Sequence, residues 1–236
     1  MFSVVIPAYN EEKLIGACLD GLVLQNTTHK FEVIVVDNNS TDKTVDIALR
    51  YKRKLDLKII TQKVKGRGAA RQKGFQKAKG EIILSTDADT VVPPFWVEQL
   101  SHALLERDGV AVTGPCKITD CSWFTNTIFN VMQPLAMRTY KLIFGHYWLS
   151  GFNSAIYKEA YKKSGGFNVK LNAQEDVEIA FRVSKIGNII FIPSVKVIFS
   201  GRRFQKGFIR GIVPYLTSFI NHLRNKDERV MLRDVR

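Results

Sequence analysis

The chain has 236 residues, 45% of them hydrophobic, enough to bury the core of one large domain. Its 35 basic and 22 acidic residues leave a net charge of +13, which points to anionic partners: nucleotides, nucleic acid or an anionic membrane surface. Cys18, Cys116 and Cys121 form no CxxC pair and are odd in number, and His29, His102, His146 and His222 have no metal-ligand spacing, so the simplest reading is three reduced thiols and no histidine metal site.

In chain order, Phe2–Pro7 is a β-branched run that reads as a buried strand. Asn10 is expected to cap a helix, with Glu11 and Glu12 suited to its dipole and Leu14, Ile15, Cys18, Leu19 and Leu22 on one face. Phe31–Val36 is a second strand ending at Asp37. Asn38–Asp42 is turn and cap chemistry, followed by a helix to about Tyr51. Leu57–Thr61 is a third strand, Gly66–Lys79 a glycine-punctuated loop and basic helix, and Glu81–Thr86 a fourth strand running into Asp87-Ala88-Asp89. A helix to Arg107 follows Pro93, and a strand spans Val110–Ile118. Residues 121–147 form one or two helices broken near Pro134. Phe152–Tyr157 is a strand, Gly165-Gly166 a turn, and Asn172–Ile186 a helix capped by Asn172. Ile189–Ile192 and Val195–Phe199 are strands, Lys206–Arg224 is a helix, and the charged tail after it is expected to be mobile.

Alternating strands and helices over the first hundred residues predict a mostly parallel sheet covered on both faces. Ligands in such sheets bind beyond the carboxyl ends of the strands, where Asp37 and Asp87 both fall. Two carboxylates one residue apart, Asp87 and Asp89, can hold a hard divalent cation together with substrate phosphates, or form a solvated turn. Asp37 can accept hydrogen bonds from a base or ribose, or cap the next helix. Gly66-Arg67-Gly68-Ala69-Ala70-Arg71 permits close backbone approach and adds arginine for phosphate. It matches neither GxGxxG nor a Walker loop. Glu175-Asp176 at a helix start can accept a proton from a hydroxyl, or merely decorate the first turn. Arg202-Arg203 after the last strand can clamp phosphate or form surface charge.

Together these segments resemble the inverting glycosyltransferases of family 2. The matching residues are Val5–Glu12, Val35–Asp42, Gly66–Arg71, Thr86–Asp89, Gly151–Ala155, Gly165–Phe167 and Glu175-Asp176, with Arg182 downstream. The resemblance implies the GT-A fold, an α/β Rossmann-like three-layer sandwich, in a single domain over 1–236. Residues 1–115 would form the nucleotide-sugar half, 116–200 the acceptor half and 201–236 a C-terminal helix and tail. It implies that Pro7, Tyr9, Glu11 and Asp37 line the nucleotide pocket with Gly66, Arg71 and Ala88. It further implies Asp89 as main metal ligand for Mg²⁺ or Mn²⁺, Asp87 beside it on sugar or ribose, and Asp176 as general base next to Glu175. Gly151, Phe152, Asn153, Arg202 and Arg203 would shape the donor-sugar and acceptor face. The expected partners are a nucleoside-diphosphate sugar and a glycan or lipid-linked acceptor; a homodimer is left open.

A sugar nucleotidyltransferase would need a Gly-rich, Arg-containing loop where Ala8–Glu12 stands. A silent binding protein would be expected to lack Asp89 or Asp176. A nucleic-acid binder would need exposed aromatics among clustered basic residues, and here the basic residues are spread along the chain. No signal peptide precedes the first strand and no stretch is long and apolar enough to span a bilayer, so the expected location is the cytoplasm with reduced thiols. A Cys116–Cys121 bridge is the alternative left open. Phe208, Ile209, Ile212, Val213, Leu216, Phe219, Ile220 and Leu223, flanked by Lys206, Arg210 and Arg224, have the spacing of a basic amphipathic helix. That helix either packs on the domain, the favoured reading, or lies on the inner face of a membrane. The apolar stretch 121–147 reads as core or dimer contact.

Overall fold

The computed structural model describes residues 1–171 and 173–224; the cap expected at Asn172 and the tail from Asn225 lie outside the described residues. Seven strands form the central sheet, in the order β3(Leu57–Thr61)–β2(Phe31–Asp37)–β1(Phe2–Ala8)–β4(Ile82–Ser85)–β8(Ser154–Tyr157)–β6(Ala111–Thr113)–β9(Ile189–Phe191). All neighbours are parallel except β8, which is antiparallel to both β4 and β6.

The strands alternate between two apolar layers because successive side chains leave opposite faces of a pleated sheet. Val4 and Ile6, Val33 and Val35, and Ile82 and Leu84 enter one core with Ile15, Leu19, Trp96 and Leu100. These last four come from α1(Ile15–Val23) and α4(Trp96–Glu106). Val5, Ile34, Val36 and Ile83 enter the other, with Phe75, Tyr161, Ile179 and Val183. Those belong to α3(Arg67–Lys77), α6(Lys158–Lys163) and α7(Glu175–Val183). Each fully buried Val, Ile or Leu contributes about 1.5–3 kcal/mol by leaving water. This is the predicted three-layer arrangement, with α6 as an element the sequence reading did not include.

Three expectations are corrected. Asn10 is not a helix cap: its backbone is left-handed (φ 51°), and its Oδ1 accepts from Thr41 N at 2.8 Å, tying the β1 loop to the β2 loop. The helix starts only at Ile15, after Glu11 O has accepted from Leu14 N and Ile15 N. The strand expected over 110–118 is split at Gly114-Pro115. β6 stays in the main sheet, while β7(Cys116–Lys117) joins a small sheet, β5(Thr90–Val91)–β10(Val197–Phe199)–β7. Pro115 has no N–H for a ladder, and its carbonyl accepts from Asn153 Nδ2 at 2.8 Å. Pro134 does not break its helix. α5(Trp123–Phe144) is continuous, capped by Ser122 and ended by left-handed Gly145. Asn130 and Gln133 fasten it along β7, accepting from Ile118 N (2.8 Å) and Cys116 N (3.3 Å). Buried Phe129, Met137 and Tyr140 add packing that offsets the roughly 3 kcal/mol cost of an internal proline. As expected, α7 starts at Glu175; it is entered through Gln174, whose backbone is left-handed at φ 62°. All three thiols are free.

The last described helix is α8(Phe208–Leu223), preceded by a single 3-10 turn at Arg202–Phe204. No helix among the described residues is long and apolar enough to cross a membrane.

Candidate active site

The β1 and β2 ends lie level, Ala8 opposite Asp37, and Asn38 N donates to Ala8 O at 2.8 Å. Asp37 is buried and its Oδ1 accepts from Ser40 N at 3.1 Å. Tyr9 stands half-buried beside this ledge with Lys65 Nζ 5.7 Å from its ring centre, and Pro7 is half-buried on the strand itself. Gly66 begins α3 at φ 137°, a conformation that favours glycine, and its N–H donates to Asn38 Oδ1 at 2.9 Å. The predicted nucleotide-pocket residues of β1, β2 and the Gly66 loop therefore share one ledge.

The neighbouring strand end carries the carboxylates. Asp87 follows β4, and its Oδ1 meets Arg71 Nη2 at 2.6 Å. Arg71 is only 3% exposed and is the hub of the site. Its Nε lies 3.2 Å from Glu175 Oε1, and its Nη1 donates to Ser85 Oγ and to Gly151 O, both at 2.9 Å. One guanidinium thus joins α3, β4, the Asp87 turn, the Gly151 loop and α7. Gly151 has to be glycine for this, since a Cβ there would sit 2.3 Å from Arg71 Nη2. The planar fork directs charge at two carboxylates and at neutral oxygens together, which a lysine point charge cannot do. Arg71 is therefore enclosed behind the cleft rather than presented to a phosphate.

Asp89 is held from the far end of the sequence. β5, directly after it, pairs antiparallel with β10 (Phe199 opposite Thr90), and Ser200 N donates to Asp89 O at 3.1 Å. This pairing delivers Arg202, whose Nη2 bonds Asp89 Oδ2 at 2.6 Å and Glu11 Oε1 at 2.7 Å, while its Nη1 bonds Glu11 Oε2 at 2.9 Å. Burial raises the Asp89 carboxyl to about 7, Asp87 and Glu11 adding to the rise against the opposing Arg202. Ala88 is buried between the two aspartates. On either side, Thr86 Oγ1 and Thr90 Oγ1 are buried without a hydrogen-bond partner.

Asp176 closes the site. Its Oδ2 accepts from Gly151 N at 3.3 Å and its Oδ1 from Val177 N at 2.9 Å. Burial raises it to about 6, helped by Glu175 and opposed by Arg71 and those two amides. The predicted residues it does not gather into this network are equally clear. Asn153 is fully buried and works as a strut: Trp96 Nε1 donates to its Oδ1, and its amide donates to Pro115 O and Val195 O, all at 2.8 Å. Phe152 packs on Phe199 at 5.3 Å, and the Arg203 guanidinium lies 5.8 Å from the Tyr215 ring centre. Ser85 was missed by the sequence reading; its place as the last residue of β4 was the available signal.

A mostly parallel seven-stranded sheet with one antiparallel insertion, covered by helices on both faces, is a GT-A-type fold. The chain belongs to glycosyl transferase family 2, whose family model matches residues 3–165. It is 32% identical over 208 residues to the probable glycosyltransferase YdaM of Bacillus subtilis, covering 81% of this chain and 49% of that protein. The chain thus spans about half that relative's length. Among solved structures it superposes on Staphylococcus aureus TarS in complex with UDP-GlcNAc with a TM-score of 0.69 at 23% identity, covering 84% of this chain and 58% of that one. The mannosyltransferase PcManGT of Pyrobaculum calidifontis, in complex with GDP-Man and Mn²⁺, gives a TM-score of 0.66 at 22% identity, covering 92% and 64%.

Proposed function

We propose that the chain transfers a sugar from a nucleoside-diphosphate donor to an acceptor hydroxyl with inversion at the anomeric carbon. The observation that supports this best is the Arg71 hub, which holds Asp87 and the Glu175-Asp176 pair in one cleft. In this reading Pro7, Tyr9 and Glu11 line the nucleotide pocket, Asp37 accepts from base or ribose, and the Gly66 backbone approaches the donor. Asp87 contacts sugar or ribose. Gly151 and Phe152 border the donor sugar, and Arg203 lies at the outer rim. Arg71 and Glu175 are positioning residues.

The donor set at Asp89 fits a divalent cation. Among the described residues no group of three or more His, Cys, Asp or Glu is arranged for a metal. Asp89, whose Oδ2 meets Arg202, and Asp87, whose Oδ1 meets Arg71, would each offer the remaining carboxylate oxygen, a set that suits Mg²⁺ or Mn²⁺ completed by diphosphate oxygens. The buried, unpartnered Thr86 and Thr90 hydroxyls flank that position. Asp89, with Asp87 beside it, would hold the ion, which when bound would neutralise charge on the departing diphosphate. Asp176, ionised above about 6, takes the proton of the acceptor hydroxyl. The hydroxyl oxygen then bonds to the anomeric carbon from the side opposite the diphosphate. The old C–O bond breaks with its electron pair leaving on the diphosphate, so no covalent enzyme intermediate is required.

The test is release of nucleoside diphosphate from UDP- and GDP-sugars in the presence of Mn²⁺. Asp89→Asn is expected to lower the rate by about a hundredfold or more, with the folded state retained by circular dichroism. An unaltered rate in Asp89→Asn would remove that residue from the site.

A further inference from the structure

The two longest helices are nearly devoid of partners on one side. α5 exposes Trp123 (80%), Phe124 (65%), Val131, Met132, Leu135, Leu142 (85%) and Ile143. α8 exposes Ile209 (74%), Val213, Leu216, Ile220 and Leu223, spaced 4-3-4-3 along a single stripe. Its opposite side is anchored: Gly211 is buried on Phe204, and Ser218 Oγ accepts from Gln174 Nε2 at 3.3 Å. The helices pack together through Tyr140 and Phe144 of α5 against Phe219 of α8, at 6.1 and 6.0 Å between ring centres. So large an exposed apolar area marks an interaction surface.

Its charge selects the occupant. From Ser122 to Gly145 and from Phe204 to Arg224 there is no aspartate or glutamate, while Arg138, Lys141, Lys206, Arg210 and Arg224 are all exposed. Apolar stripes with purely cationic flanks and terminal aromatic residues suit the headgroup–acyl boundary of an anionic bilayer. A second copy of this chain would set these cations against one another. Neither helix can span, so both would lie in the surface plane.

The buried side of the two helices, behind that face, packs on α7, which carries the proposed base. Tyr140 is in edge contact with Phe181 of α7 at 6.4 Å, and Gln174, which enters α7, is the residue bound to Ser218. We infer that α5 and α8 dock the chain on an anionic membrane surface and thereby present Asp176 to an acceptor hydroxyl carried by a lipid-anchored molecule. This rests on the transferase reading for the acceptor and on the surface alone for the docking.

The experiment is co-sedimentation with vesicles of phosphatidylcholine alone or with one third phosphatidylglycerol, at low and high salt. Nucleotide binding and sedimentation velocity are measured on the same samples. The wild-type chain is expected to bind the anionic vesicles about tenfold better than the neutral ones, and less well in high salt. The exposed-face double variant Ile209→Glu/Leu216→Glu should lose vesicle binding yet keep its nucleotide binding. Absence of vesicle binding at low salt by a chain that still binds nucleotide would overturn the docking. So would a wild-type dimer that the double variant dissolves. Failure to bind nucleotide, with vesicle binding intact, would strike the transferase reading and the lipid-acceptor clause, leaving the docking.

Discussion

Asp176→Asn is expected to lower kcat by about 10²–10⁴-fold, the usual contribution of a general base, with little change in nucleotide affinity. The wild-type pH profile checks the assignment. Burial first, then Glu175, raises the Asp176 carboxyl to about 6. Base catalysis needs the ionised form, so kcat at saturating Mn²⁺, where bound metal would hold Asp89 ionised, should fall as pH drops through about 6; the asparagine variant should lack that inflection. The stability sign is opposite. With its folded pKa above the unfolded value, Asp176 binds its proton more tightly in the native state. Its contribution to stability is therefore full below the unfolded pKa and is lost as pH rises through about 6. At neutral pH the asparagine variant should accordingly melt no lower than wild type, which separates a chemical loss from a folding loss. A variant that keeps the wild-type rate would remove Asp176 as the base.

The second large effect is on the fold. Arg71→Met leaves Glu175, whose side chain is 4% exposed, and Asp87 without their common partner. Breaking a buried pair in this way costs about 3–5 kcal/mol. At roughly 2–4 °C per kcal/mol for a chain of this size, Tm should drop on the order of 10 °C. Arg71→Lys should recover little, because one ammonium cannot reach Glu175, Asp87, Ser85 and Gly151 O together. The double variant Arg71→Met/Glu175→Met should be more stable than Arg71→Met alone, since the stranded carboxylate is gone. A Tm change under about 2 °C in Arg71→Met would mean that the hub is not a stabilising element.

The parts of the molecule legible in sequence are those written in local periodicity. β1, β2 and β4 are short runs apolar on both faces, and only a sheet covered on both sides buries such runs. Asp37 and Asp87 were placed by that rule alone, because the strands end where they begin. What the sequence hides is long-range pairing. β10 lies within the expected strand Val195–Phe199, but β5 holds only two residues, too short for a periodic signal, and nothing local shows the pairing of the two that brings Arg202 to Asp89 and Glu11. Arg202 and Arg203 read as either a phosphate clamp or surface charge, because the carboxylate partners of Arg202, Glu11 and Asp89, lie more than a hundred residues away. The resemblance puts Asn153 on the donor-sugar and acceptor face; its direction into the core is set by Trp96, Pro115 and Val195, none of which is local. Pro134 read as a break because its local cost is visible in sequence and the packing that offsets it is not.

The strand-end cleft is expected to bind a nucleoside diphosphate together with a divalent cation. Calorimetric titration of the chain with UDP, GDP and dTDP, each with and without Mn²⁺, tests it most directly. Saturable binding of one nucleotide that needs Mn²⁺, and that Asp89→Asn abolishes, is the predicted result. Failure of all three to bind the folded chain in the presence of Mn²⁺ would contradict it.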